Sequence, residues 1–107
     1  MQTDKQALAR EDQIKKMIAD QLYSARALLQ GHKVYLYGSR AQGKSRPRSD
    51  FDIGVWGKEP LSLAAFYKLE DMLEELPTLY KIDLVDLNRT SAKFQEQALK
   101  QVETLYE

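Results

Sequence analysis

From about Asp4 to Gln30 the apolar positions Ile14, Met17, Ile18, Leu22, Ala25, Leu28 and Leu29 recur every three or four residues, the spacing of one helix face. Gly31 supplies a stop. The next stretch, Lys33-Val34-Tyr35-Leu36-Tyr37, is short, β-branched and aromatic, and it runs into Gly38, which predicts a strand ending in a tight turn. Residues 38–50 are polar and include Gly43, Pro47 and the basic residues Arg40, Lys44, Arg46 and Arg48, the composition of a loop holding at most a turn or two of helix. From Phe51 to Trp56 the chain alternates. Phe51, Ile53 and Val55 point one way and Asp50, Asp52, Gly54 and Trp56 the other, so this strand carries two carboxylates on one face.

Pro60 stands near the start of a second helical stripe made by Leu63, Phe66, Leu69, Met72, Leu73 and Leu76, and Pro77 closes it. Ile82-Asp83-Leu84-Val85-Asp86-Leu87 predicts a third strand in which Asp83 and Asp86 face opposite sides. Thr90 or Ser91 caps a last helix carrying Phe94, Ala98 and Leu99, and Val102 to Tyr106 either extends it or forms a short edge strand. This order of elements is that of a small α/β (α+β) domain with helices packed on a short mixed sheet.

Composition narrows the chemistry. The chain has 107 residues with no repeat or linker-like tract, which predicts a single domain over residues 1–107. Such a chain buries roughly 65% of its unfolded surface, enough for one modest core but not for a second, substrate-binding domain. Whatever it acts on is therefore held by a partner or an open cleft. Lys+Arg 16 against Asp+Glu 16 leaves a formal charge of zero, which argues against direct nucleic-acid binding or attraction to an anionic membrane. No cysteine is present, so disulfides, thiolate zinc sites and cysteine nucleophiles are excluded, and the single histidine, His32, reads as a surface or capping residue beside a helix end. Catalysis falls to carboxylates, hydroxyls and Lys/Arg. No run approaches the ~18 apolar residues of a membrane span, and the polar first twenty residues lack the apolar core of a secretory signal. The expected location is the cytoplasm.

The segment from Tyr37 to Asp52 satisfies two phosphate-binding patterns at once. Gly38, four residues, then Gly43-Lys44-Ser45 matches a P-loop, in which backbone N–H groups cradle phosphates. A P-loop requires a helix to start at its Lys-Ser, whereas Pro47 follows two residues after Ser45 and a strand begins near Phe51. The match therefore reads as chance. The second pattern is Gly38-Ser39, ten residues, then Asp50-Phe51-Asp52. Gly38 permits close backbone approach, Ser39 brings a hydroxyl and an N–H, and Asp50 and Asp52 project from one strand face, where two neighbouring carboxylates repel unless a divalent cation joins them.

Gly38-Ser39-Arg40-Ala41, Gly43, Ser49-Asp50-Phe51-Asp52-Ile53 and Ile82-Asp83-Leu84-Val85 together resemble the minimal nucleotidyltransferase (MNT) family of the polymerase-β-like nucleotidyltransferase superfamily, over most of the chain from Val34 onward. The Val102–Tyr106 ending is also similar to that family's short C-terminal segment. The resemblance implies a polymerase-β-like fold and a third carboxylate at Asp83, with Asp50, Asp52 and Asp83 holding Mg²⁺ and Asp83 also accepting the proton of an attacking hydroxyl. It implies that Gly38, Ser39 and Arg40 bind the nucleotide, with Arg40, Lys44, Arg46 and Arg48 available to neutralise departing pyrophosphate. Asp86 then caps or pairs at the strand end. Tyr35, Tyr37 and Trp56 read as packing, and Ser45 and Ser49 as turn residues.

Members of the MNT family typically pair with a HEPN-domain ribonuclease toxin and act as its antitoxin, transferring AMP from ATP to a toxin tyrosine. The resemblance therefore implies ATP as co-substrate, Mg²⁺ as cofactor, a HEPN toxin partner encoded nearby and a hetero-oligomer; separately, the apolar surface of the first helix suffices to cover the sheet and reach a partner. A binding antitoxin of the same fold with a vestigial site, and a P-loop NTPase, are the alternatives. The net charge of zero is a sum over a segregated surface: four basic residues precede Asp50 and Asp52, while residues 59–75 are acid-rich. That pairing suits a triphosphate with its metal.

Overall fold

The computed structural model describes residues 2–43 and 50–107, with side chains from Arg10 onward. Helix α1 covers Gln2–Ser24 and is followed by a 3₁₀ turn at Arg26–Leu28. Strands β1 (His32–Tyr37) and β2 (Phe51–Gly57) lead to α2 (Leu63–Glu74) and β3 (Ile82–Asp86). A second 3₁₀ turn, Leu87–Arg89, then α3 (Ala92–Leu99) and β4 (Glu103–Tyr106) complete the order. One mixed sheet results, ordered β3-β2-β1-β4, antiparallel at β1–β2 and β1–β4 and parallel at β2–β3.

The expected apolar stripe of the first helix is buried, but the α-helix is shorter than the spacing predicts. Ile14, Ile18, Leu22, Ala25 and Leu29 all enter the core. The Ala25 N–H is shared between the Gln21 and Leu22 carbonyls at 3.1 and 3.0 Å, and this tightening into 3₁₀ geometry keeps the last apolar residues on the same face. α2 starts at Leu63 rather than beside Pro60, because the Ser62 side chain accepts the Ala65 N–H and caps it. Leu63, placed in the stripe by its spacing, is instead exposed, whereas Leu69 and Leu73 are buried. Ser91, not Thr90, caps α3 by accepting the Phe94 N–H. The C-terminal segment takes the strand alternative, as β4 on the outer edge of β1.

Alternation along the strands divides the packing as expected. Val34, Leu36, Phe51, Ile53, Val55 and Leu84 face α1 and α2 in the main core. The opposite face carries a smaller cluster of Tyr37, Leu87 and Ala98, with Trp56, Val85, Leu99 and Val102 against it. Gly54 permits that second layer: a Cβ there would lie 2.6 Å from Cδ1 of Leu87. No helix among the described residues is long and apolar enough to cross a membrane.

Candidate active site

The two central strand pairings build the site. Tyr37 on β1 is the register partner of Asp52 on β2, and Asp52 is the register partner of Asp83 on β3. Residues in direct register point to the same side of a sheet, so a phenol and two carboxylates form one row across three strands, on the face away from α1 and α2. Beside it the chain leaves β1 through Gly38, at φ 75°. This left-handed conformation suits a residue without Cβ, and it lets the turn pass directly over Asp52. Residues 38–43 continue as turns, with the Gln42 N–H donating to the Gly38 carbonyl and the Gly43 N–H to the Arg40 carbonyl, both at 3.2 Å. The Gln101 side-chain amide donates to the Ala41 carbonyl at 3.2 Å and ties the turn to the segment before β4.

The acids feel one another. Burial pushes the Asp52 carboxyl above its ordinary value, and the charges of Asp83 and then Asp50 push the same way, against the pull of Arg40 and Lys81. Burial, followed by the charges of Asp52 and Asp83, lifts the Tyr37 phenol to about 12, so it stays protonated at neutral pH. Tyr37 also meets Phe94 edge-on, with ring centres 6.1 Å apart. It is packed, as expected, but it walls the acid row as well, a relation that only the strand register reveals.

Each predicted site residue can now be placed. Asp52 and Asp83 come together; Asp50 stands exposed just before β2, near enough to raise Asp52 but outside the row. Gly38 and Ser39 lie at the rim, with Ser39 half-buried. Arg40 differs from expectation. Its side chain is only 4% exposed, paired with Glu11 at 2.9 Å and stacked 3.9 Å from the Phe51 ring centre, so its guanidinium is packed into the fold rather than solvated. Lys44, Ser45, Arg46, Arg48 and Ser49 fall outside the described residues.

Asp86 behaves as the alternation requires: it is buried on the opposite side from Asp83, accepts the Leu61 and Asn88 N–H groups at 2.9 and 3.1 Å, and pairs with Arg89 at 3.5 Å. The His32 ring sits between the Gln30 and Glu59 carbonyls at 2.9 and 2.8 Å, a local tie at the opposite end of β1 from Gly38. The P-loop alternative fails on topology. β2 turns back antiparallel beside β1, whereas a P-loop strand leads through a helix to a parallel neighbour.

A divalent cation fits the donors present. They are hard carboxylate oxygens whose mutual repulsion an ion relieves. Among the described residues no three His, Cys, Asp or Glu side chains form a ready-made cage. The row therefore suits an ion that takes one or two carboxylates and completes its shell with phosphate and water, the habit of Mg²⁺.

Residues 9–107 match the family described as "Polymerase beta, Nucleotidyltransferase". The chain belongs to the polymerase β nucleotidyltransferase family. Within that nucleotidyltransferase family it is 33% identical over 69 residues to a probable protein adenylyltransferase MntA of Haemophilus influenzae, the match covering 64% of this chain and 60% of that protein. The aligned part thus spans about three-fifths of that relative's length, 60%. Among solved structures, a toxin–antitoxin with AMP-PNP is similar at 27% identity and TM-score 0.61, over 82% of this chain and 72% of the other. The toxin–antitoxin MntA–HepT is similar at 25% identity and TM-score 0.59, over 89% and 71%. The nucleotidyltransferase fold is the one these relatives share.

Proposed function

We propose that this nucleotidyltransferase is an antitoxin that transfers AMP from ATP, with Mg²⁺, to a tyrosine hydroxyl of a HEPN ribonuclease toxin in the cytoplasm. The observation that carries the reading is the in-register pair Asp52 and Asp83 under the positive-φ turn at Gly38, where a nucleotide can lie against backbone with carboxylates beneath it. Likeness to a probable protein adenylyltransferase and to a toxin–antitoxin with AMP-PNP supports the donor and the kind of partner.

In this reading Gly38 and Ser39 bind the terminal phosphates through backbone N–H groups and the Ser39 hydroxyl. Asp52 and Asp83 would hold the ion, with Asp50 beside them. When bound, it offsets charge on the triphosphate and on the attacking and leaving oxygens. Asp83, on the edge strand β3, takes the proton as the tyrosine oxygen attacks the α-phosphorus. A new phosphorus–oxygen bond forms, the α–β bridging bond breaks, and pyrophosphate carries away the bonding pair. Packed by Phe94 and Leu87, Tyr37 walls the site as a neutral phenol.

The test is incubation with α-labelled ATP, Mg²⁺ and the toxin encoded beside the gene. Label on the toxin, abolished by Asp52→Asn and by changing the acceptor tyrosine but surviving Lys44→Ala, supports the reading. Toxin neutralised without any label identifies a binding antitoxin instead and overturns it.

A further inference from the structure

Arg40 leaves the phosphate loop to join three segments of the fold. Its guanidinium pairs with Oε1 of Glu11 at 2.9 Å, and the two side chains are 4% and 13% exposed. The face of the group lies 3.9 Å from the Phe51 ring centre and 5.3 Å from that of Tyr80. Nε donates to the Asp50 carbonyl at 3.3 Å. A buried ion pair costs more desolvation than a surface pair and rarely stabilises a fold more than apolar packing of the same volume would. Stability alone therefore gives no account of the pair, and the third contact supplies one. The Asp50 carbonyl immediately precedes the strand that carries Asp52.

We propose that Glu11 and Arg40 are positioning residues for the acid row, forming a clamp anchored on α1 that holds the Gly38–Ser39 turn against the Asp50–Asp52 segment. The inference rests on the nucleotidyltransferase reading of the site and adds a role for α1, none of whose described side chains is among the reacting groups. A planar guanidinium suits the task because its fork, its Nε–H and its face address three neighbours in fixed directions. Lysine at this position keeps the charge and the partner Glu11, but all its N–H donors sit on one nitrogen, so it has no separate Nε–H to hold the Asp50 carbonyl at the same time. Glu11 is held in turn by Lys15 at 4.0 Å, and Lys15 reaches Glu103 of β4 at 2.9 Å, so the clamp is braced from the far edge of the sheet.

The test uses Arg40→Lys and Glu11→Gln in the whole protein, since Arg40→Ala would strand Glu11 in the core. Thermal melting reports folding, nitrogen–proton correlation spectra of the metal-free proteins report backbone position, and Mn²⁺ binding with AMP-PNP reports the site. Expected are cooperative folding and shifted amide resonances at Gly38, Ser39, Asp50 and Asp52, with those of α3 unmoved. Mn²⁺ affinity falls on the order of tenfold, the scale at which loosened positioning is felt. The double variant is no worse than Arg40→Lys alone, because the two side chains act as one unit. Unmoved amides in a folded Arg40→Lys protein overturn the clamp, as does wild-type Mn²⁺ affinity beside a lowered melting temperature. If the unaltered protein holds no Mn²⁺ with AMP-PNP, the nucleotidyltransferase reading fails, and the amide shifts still decide the clamp.

Discussion

Gly38 and Asp52 touch so closely that a Cβ on Gly38 would lie 2.6 Å from Oδ2 of Asp52. The backbone turn proposed to receive phosphate and the carboxylate proposed to receive the ion are thus a single packed unit.

Gly38→Ala is expected to damage function beyond its effect on the fold. A left-handed φ costs a residue with Cβ roughly 1–2 kcal/mol, and the displaced Asp52 carboxylate adds a loss of AMP transfer larger than the melting shift explains. Thermal melts beside labelled-ATP assays separate the two.

Asp52→Asn is expected to raise the melting temperature at neutral pH while abolishing transfer. Because its folded pKa is raised, Asp52 holds its proton more tightly folded than unfolded. Folding is therefore penalised as pH rises from the ordinary value through the folded one, and the penalty is complete once pH lies above the folded value. The advantage of asparagine should shrink as pH falls through the raised folded value and be gone below the ordinary one, about 4. Melting of the metal-free proteins across acid and neutral pH checks the sign.

Tyr37 predicts the alkaline limb. Its phenol titrates at about 12 folded against the ordinary 10.0, so folding loses stability as pH rises above the ordinary value towards the folded one. Tyr37→Phe should flatten that part of the stability–pH curve, and phenolate absorbance of the native protein should show one tyrosine ionising late.

Asp83 and Asp86 should part company on mutation. Asp83→Asn, at an exposed strand position, should abolish transfer with little change in stability. Asp86→Ala removes the acceptor of the Leu61 and Asn88 N–H groups and should cost about 2–4 kcal/mol by denaturant unfolding. The fraction that remains folded should still transfer AMP.

How far the sequence disclosed this arrangement depends on which interactions have a period. The faces of β2 were legible because Phe51, Ile53 and Val55 alternate with the acids, and alternation has one geometric meaning. Asp83 and Asp86 were separable for the same reason. The pairing of Asp52 with Asp83 was not, since register between strands joined through a helix leaves no local trace, and only family resemblance pointed to Asp83. The burial of Arg40 was not legible because a basic residue in a polar loop looks solvated, while its partner Glu11 lies far away in sequence on a helix face that otherwise reads as polar. The end of α1 escaped because the 3₁₀ turn preserves the apolar spacing through Ala25 and Leu29 while the hydrogen bonds change.

The position of β4 beside β1 bears on assembly. Gly38, at the end of β1, and Asp52 and Asp83, on β2 and β3, are all present once β3 has formed, yet the outer edge of β1 stays open until β4 pairs with it. A chain lacking its last strand exposes the whole edge of β1 as a template for another chain, and pairing with β4 replaces that edge by a shorter one.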